Sequence, residues 1–154
     1  ILRRVLEPIM DDYDAIIIDC APNLGNLTAN DMVAADGMIV PMCAQYLSVK
    51  GLDLLLAQYS DAKLLNPGLE IIGALITMKD PRRTMQGRIV ESLQAQREQG
   101  LAMFDTIIPR AADTEEASAK AQSIIAFKPG SKVAQAYLRL ADEVMPWIMG
   151  EDAR

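Results

Sequence analysis

Four short apolar runs alternate along the chain with longer segments of helical periodicity, and this alternation is the strongest constraint on the fold. The runs cover residues 15–18, 37–41, 69–77 and 103–108, of which the last two are only mostly apolar and include Glu70 and Asp105. A short, continuous apolar run is typical of a strand that is buried on both faces, as in a parallel sheet. Helical segments between such strands indicate βαβ connections. We therefore expect an α/β fold with a mainly parallel sheet flanked by helices.

The segments between the runs predict the helices. Apolar residues at helical spacing place helices over residues 2–10, about 48–65, about 85–100 and 133–148. Thr28 is a candidate N-cap for a further helix that ends near residue 35. Asp113 and Glu116 resemble a capping box, which predicts that another helix begins there. The chain has no internal repeat or linker, so residues 1–154 are expected to form one domain.

The composition excludes several kinds of site. The 154 residues contain no histidine, which rules out Ser-His-Asp and Cys-His nucleophilic centres and any zinc site that needs imidazole. The two cysteines, Cys20 and Cys43, are too few for a four-thiolate metal site, and their scarcity fits free thiols in a reducing cytoplasm. An apolar run of 18 residues, which a membrane-spanning helix needs, does not occur.

Charge is distributed unevenly along the chain. The formal net charge of −6 argues against nucleic-acid binding by the molecule as a whole. Residues 79–110, however, carry six basic groups and four acidic groups. Arg82, Arg83, Arg88 and Arg110 lie in this basic segment. They could contact phosphates without reading sequence, or they could simply form a solvated surface.

Chemistry is expected where the strands end, because ligands of open parallel sheets bind beyond the carboxyl ends of the strands. Asp19 follows the first apolar run directly. A carboxylate at the tip of a buried strand needs compensation, either from a magnesium ion or from capping of the next helix or turn. Thr77 with Met78 and Pro109 with Arg110 occupy two further strand ends, where they could line an apolar pocket or merely end the strands.

Residues 13–25, which read YDAIIIDCAPNLG, resemble the Walker B region of the ParA family of deviant-Walker partition ATPases. The resemblance continues in the same order along nearly the whole chain. It includes Gly51-Leu52, which matches the start of the family's next helix, and the strand Ile72–Met78, which matches "GVLLTM". Further matches are Ile108-Pro109-Arg110, Glu116-Ala117, Lys128–Lys132 and the segment from Ala136 to Val144.

The resemblance implies roles in nucleotide binding. Asp19 matches the Walker B aspartate, which holds Mg²⁺ through its water shell, and it is therefore the expected catalytic and metal-site residue. Pro22 and Gly25 match the loop that senses the γ-phosphate. Simple turn chemistry would explain these two residues equally well without the resemblance. The matching residues expected at the border of the adenine pocket are Thr77, Met78, Pro109 and Arg110.

The resemblance also implies a cellular role. ParA-like proteins use ATP and Mg²⁺ to form homodimers, and the dimers bind nonspecific DNA during plasmid or chromosome partition. A ParB-like centromere-binding protein stimulates their hydrolysis of ATP. For this chain the resemblance implies a cytoplasmic, nucleoid-associated protein that contacts DNA through its basic segment. Residues 147–154 carry one basic and two acidic groups, which disfavours a membrane-binding tail.

Two departures from the family limit what is expected. The family's phosphate-cradling "KGGVGKTT" loop is absent, and the sequence begins with Ile1 rather than Met. We therefore expect the C-terminal part of a single P-loop NTPase domain, with the first strands missing and no ATPase activity in isolation. Residues 116–119 read EASA where the family usually has EAPS. The alternatives are a non-enzymatic binding or dimerisation remnant, and a MinD-like positioning ATPase.

Overall fold

The computed structural model describes residues 1–21, 23–43, 49–80, 97 and 100–150. A short helix, α1, is followed directly by a 3-10 helix over Glu7–Asp12. The bounds of the helices are Leu2–Leu6 (α1), Asn26–Ala34 (α2), Val49–Leu65 (α3), Ala112–Ala119 (α4), Ile124–Phe127 (α5) and Lys132–Ile148 (α6). The bounds of the strands are Gly37–Cys43 (β1), Glu70–Lys79 (β2) and Met103–Pro109 (β3).

The strands form one sheet in the order β1-β2-β3. The pairing of β2 with β3 is parallel, and its register places Lys79 opposite Pro109. Among the described elements α2 precedes β1, α3 connects β1 to β2, and α4, α5 and α6 follow β3. The expected fold class, an α/β fold with a parallel sheet and helices, is therefore confirmed.

The chain divides into two compact units. The first comprises residues 1–38 and 48–71, and the second comprises residues 39–47 and 72–154. In the second unit α6 packs against β3. The core of this unit is made of apolar side chains from β2, β3 and the helices that follow them, among them Leu75, Phe104, Ile108, Ile124 and Val133. The amphipathic pattern of the last helix buries its first turns here, because Val133, Ala134 and Ala136 are all buried.

In the first unit, α2 packs against α3 and Leu69 is completely buried. Met32 and Ala62 complete the buried cluster around it. Asn66 is buried as well, and its side-chain amide donates to the carbonyl oxygens of Met32 (3.2 Å) and Ala35 (2.7 Å). A residue just past the end of α3 thus satisfies carbonyl groups at the end of α2, where the helical ladder has no donors left to offer.

The prediction that residues 15–18 form a buried strand is wrong. The structure has no strand over residues 15–20, and Ile17 is 92% exposed. A strand requires a hydrogen-bonded neighbour, and the described sheet contains only β1, β2 and β3. The apolar run is therefore an unpaired segment, although its composition is that of a buried strand.

Two predicted helix caps are also wrong. The N-cap of α2 is Gly25, and Thr28 lies inside the first turn of the helix. The residue before α4 is Ala111, and Asp113 binds Lys128 instead of closing a capping box with Glu116. The segment between α4 and α6 contains the short helix α5, which is capped by Ser123. Most of the helix predicted over residues 85–100 lies outside the described residues.

Candidate functional site

In the second unit the carboxyl ends of the strands meet at one edge of the sheet. The backbone N–H of Arg110, just after β3, donates to the carbonyl oxygen of Lys79 at the end of β2 over 3.0 Å. The thiol of Cys43, the last residue of β1, lies 4.0 Å from the Sδ atom of Met78. This edge is where parallel sheets bind ligands.

The four residues predicted to border an adenine pocket lie together at this edge. Thr77 and Met78 are among the last residues of β2, and Pro109 and Arg110 end β3, whose register pairs Pro109 with Lys79. Met78 is 55% exposed. Its φ of 55° lies in the left-handed region, which residues other than glycine rarely adopt. Pro109 is half-buried and Arg110 is exposed. The edge therefore offers a thioether, a proline ring and a guanidinium to a ligand.

In the first unit Gly25 begins α2 after the predicted γ-phosphate loop. Its carbonyl oxygen accepts from the N–H of Ala29 at 3.0 Å and from the Gln58 amide at 3.4 Å. The Thr28 hydroxyl donates back to the carbonyl oxygen of Asn23 at 2.5 Å. A Cβ on Gly25 would lie 3.3 Å from Asn23 Oδ1, so the turn leaves little room for a side chain. The loop is thus held at both of its ends, while Pro22 lies outside the described residues.

Asp19 precedes this loop and is exposed. Burial raises the pKa of the neighbouring Cys20 thiol above its ordinary 9.0, and the carboxylates of Asp31 and then Asp19 raise it further. The carboxylates of Asp19 and Asp31 therefore lie near each other, around Cys20, in the first unit. Magnesium is typically held by one or two carboxylates together with water and phosphate oxygens. An exposed Asp19 fits that arrangement as one member of the set.

Among the described residues, no group of three or more His, Cys, Asp or Glu side chains could hold a metal ion by itself. A metal bound at Asp19 would thus need its other ligands from water or from a nucleotide. No helix that the structure describes is long and apolar enough to cross a membrane.

Two residues near the loop were missed by sequence reasoning. Gln58 donates to Gly25, and its Oε1 atom is buried without a hydrogen-bond partner among the described residues. A glutamine between the inward-facing Leu55 and Tyr59 of α3 was the available signal. Asp31, which acts on Cys20, lies 11 positions further along the sequence, and nothing in the local pattern indicates the contact.

The predicted DNA-binding residues are described only in part. Arg82, Arg83 and Arg88 lie outside the described residues. Arg110 is exposed at the end of β3. Arg97, which belongs to the same basic segment, forms an ion pair with Asp105.

Comparison with known sequences finds one family model and several relatives that match this chain. A family model described as an AAA domain matches residues 1–71. The chain is 41% identical over 145 residues to an uncharacterised protein of Pseudomonas putida, covering 94% of the chain and 54% of that protein. It is 38% identical over 144 residues to the sporulation initiation inhibitor protein Soj of Bacillus subtilis, covering 93% of the chain and 56% of Soj. The chromosome-partitioning ATPase Soj of Thermus thermophilus is also 38% identical, with 94% and 57% covered.

Comparison with solved structures finds the same fold in nucleotide-bound proteins. Cobyrinic acid a,c-diamide synthase of Mycobacterium smegmatis, crystallised with an ATP analogue and magnesium, matches with a TM-score of 0.78 and 32% identity. That match covers 99% of this chain and 55% of the synthase. The septum site-determining protein MinD of Pyrococcus horikoshii, complexed with Mg-ADP, shares the fold with a TM-score of 0.72 at 24% identity, covering 93% of this chain and 55% of MinD.

The chain spans about half the length of the curated relatives it matches. The matches cover nearly all of this chain. Its fold is that of P-loop ATPases, as the solved structures show. Relatives that carry a functional name include proteins of chromosome partition and of sporulation control. Sequence comparison therefore identifies Soj/ParA chromosome-partitioning proteins as homologues of this chain.

Proposed function

We propose that this chain is the C-terminal part of a ParA-like partition ATPase domain, and that it supplies the Walker B and base-binding portions of the nucleotide site. The observation that carries the proposal is the 38% identity to two Soj proteins over 93–94% of the chain. The phosphate-cradling loop is absent from this sequence. We therefore expect ATP hydrolysis from the complete domain and none from this chain in isolation.

Each predicted residue has a physical role in the proposed site. Asp19 would hold the water shell of Mg²⁺, which neutralises charge on the nucleotide phosphates when it is bound. Pro22 and Gly25 would shape the loop before α2, whose backbone N–H groups suit an anion. Met78 and Pro109 would offer apolar surface to a flat base, with Thr77 and Arg110 at its border.

The proposed partners follow from the family. ATP would join two protomers, and the homodimer would bind nonspecific DNA in the cytoplasm, at the nucleoid. Arg82, Arg83, Arg88 and Arg110 would contact phosphates, so binding would weaken steeply with salt. A ParB-like centromere-binding protein would stimulate hydrolysis. The acidic residues among positions 147–154 favour this over a MinD-like role at a membrane.

A chimera tests the proposal. The part of Bacillus subtilis Soj that carries the phosphate-binding loop is fused before Ile1, and ATP hydrolysis is measured with magnesium and DNA. We expect hydrolysis from the chimera and none from the chain alone. Asp19→Ala should abolish the activity, whereas Asp12→Ala, which also removes an exposed carboxylate, should leave it unchanged.

The DNA contact is tested on the same chimera. The double variant Arg82→Ala with Arg83→Ala should weaken ATP-dependent DNA binding and reduce the salt slope by about two, one for each lost phosphate contact. Equal affinity and equal slope would remove both residues from the interface. A chimera that folds and binds nucleotide, yet hydrolyses ATP equally well with Asp19→Ala, would contradict the metal role. A chimera that binds no nucleotide would favour the non-enzymatic remnant.

A further inference from the structure

The pairing of β2 with β3 is irregular in the middle of the strands. Ala74 pairs with Met103, and Ile76 pairs with Ile107. Two steps along β2 therefore correspond to four steps along β3, whereas a regular parallel ladder advances equally on both strands. The extra residues of β3 form a bulge, and they lie between Met103 and Ile107.

A side chain of α6 contacts the backbone of this bulge. Glu143 accepts the N–H of Asp105 through Oε2 at 2.7 Å and the N–H of Thr106 through Oε1 at 2.9 Å. Successive N–H groups of a regular strand point to opposite edges of that strand. One carboxylate can therefore bind two successive N–H groups only where the strand departs from regular geometry, which is where the register breaks.

The bulge needs an acceptor of this kind. Thr106 is 6% exposed whereas Asp105 is exposed, so the second of the two N–H groups lies at the edge of the core. N–H groups that a sheet ladder does not satisfy are costly in such a place. A carboxylate provides two oxygens and charge-assisted hydrogen bonds, which are stronger than bonds to a neutral acceptor.

We propose that Glu143 is a positioning residue: its carboxylate holds the β3 bulge, which makes the first of the two register shifts in this pairing, and the position of Pro109 and Arg110 depends on that shift. Beyond the bulge the register shifts once more, between Ile76 and Lys79, where three steps along β2 correspond to two along β3. It then pairs Lys79 with Pro109, and the Arg110 N–H donates to the Lys79 carbonyl oxygen. Without the bulge, those two residues would lie opposite different positions of β2. This inference deepens the proposed function, and it rests on that function only for the ligand that Pro109 and Arg110 would meet.

Amide hydrogen exchange, measured by NMR on the 154-residue chain, tests the proposal. Glu143→Ala should speed exchange at the Asp105 and Thr106 amides by about tenfold to a hundredfold, because each loses a charged acceptor. Glu143→Gln keeps one acceptor oxygen and turns an NH₂ group towards the other amide. We therefore expect it to preserve the protection of one of the two amides only. The matched control is Asp142→Asn, which removes the neighbouring exposed charge on α6 and should change neither amide.

Two further amides separate a register role from a purely local one. The Ala74 N–H donates to Ala102 before the bulge, and the Arg110 N–H donates to Lys79 after it. If Glu143 sets the register, Glu143→Ala speeds exchange at Arg110 by about tenfold and leaves Ala74 protected. A change limited to Asp105 and Thr106, or an equal loss at all four amides, overturns the proposal. If Glu143→Ala does not fold, the one-sided loss in Glu143→Gln decides instead, and unchanged exchange at Arg110 in that variant overturns the register role.

None of these measurements involves nucleotide, so their outcome does not depend on the proposed ATPase function. The chimera that tests that function contains the unmodified Glu143, so its failure would leave the register result standing.

Discussion

Cys20 shows how neighbouring charge alters the chemistry of one side chain. Burial, together with the Asp31 and Asp19 carboxylates, holds the pKa of its thiol above 9.0. The folded chain therefore keeps a proton that the unfolded chain loses as the pH rises through 9.0. The contribution of this group to stability is constant well below that pH and declines above it.

The charge effect can be measured by alkylation. In magnesium-free buffer at pH 8, and in a Cys43→Ser background, Asp31→Asn should make Cys20 react several-fold faster with iodoacetamide, because a lower pKa gives more thiolate. Asp12→Asn removes an exposed carboxylate that is not among the causes of the shift, and it should leave the rate unchanged. Equal rates for all three proteins would show that Asp31 does not act on the thiol.

Gly73 shows how close packing restricts a residue. A Cβ at this position would lie 2.9 Å from Cε2 and 3.1 Å from Cδ2 of Phe104, whose ring is in the core of the second unit. Gly73→Ala should therefore lower the free energy of unfolding by about 1–3 kcal/mol in urea titrations. Gly130→Ala is the control, since a Cβ at that position would meet nothing within 4 Å and should cost far less. Equal midpoints for both variants would refute the crowding.

At the scale of elements, α6 depends on its N-cap. The Ser131 hydroxyl oxygen accepts the N–H of Ala134 at 3.1 Å, and Ser131 is only 8% exposed. Ser131→Ala should cost about 0.5–2 kcal/mol of stability, as loss of a cap does. Thermal unfolding followed by circular dichroism would measure the loss, and Ser131→Asp should recover most of it. Ser123→Ala, which uncaps the four-residue α5 at an exposed position, should cost less.

Elements defined by a local pattern were predicted well. The apolar runs at 37–41, 69–77 and 103–108 became β1, β2 and β3 with ends shifted by at most two residues. The run at 15–18 has the same composition and is not a strand, because pairing depends on a neighbour that no local pattern shows. The start of α2 was misjudged for a similar reason. Thr28 bonds to Asn23, and Gly25, whose side chain offers no signal, begins the helix.

The candidate site was predictable only at the strand ends. Met78 and Arg110 could be placed at one edge because parallel strands end on the same side of a sheet. Gln58 and Asp31 act over long sequence separations, and so does Glu143, which lies 37 positions from Thr106. Such contacts arise from tertiary packing, which periodicity does not encode.

At the scale of the whole molecule, Ile17 is exposed although the apolar run that contains it is typical of a buried strand. At 92% exposure it has almost no core contacts to lose, so Ile17→Asp should change the free energy of unfolding by no more than about 0.5 kcal/mol. Val133→Asp, which places a charge at a position only 1% exposed, should prevent folding or cost several kcal/mol. A large loss of stability from Ile17→Asp in urea titrations would mean that residues 15–18 are buried after all.

Because the backbone at Met78 is left-handed, selection for stability and selection for nucleotide binding should favour different residues at this position. Any L-residue with a side chain is strained there, by about 1–2 kcal/mol relative to glycine. Among random variants chosen only for heat resistance, glycine should therefore replace methionine at position 78. Among variants chosen for nucleotide binding, the thioether should persist if it contacts the base. Comparing the residues that survive each screen would show whether the strain is the cost of a contact or an accident of the turn.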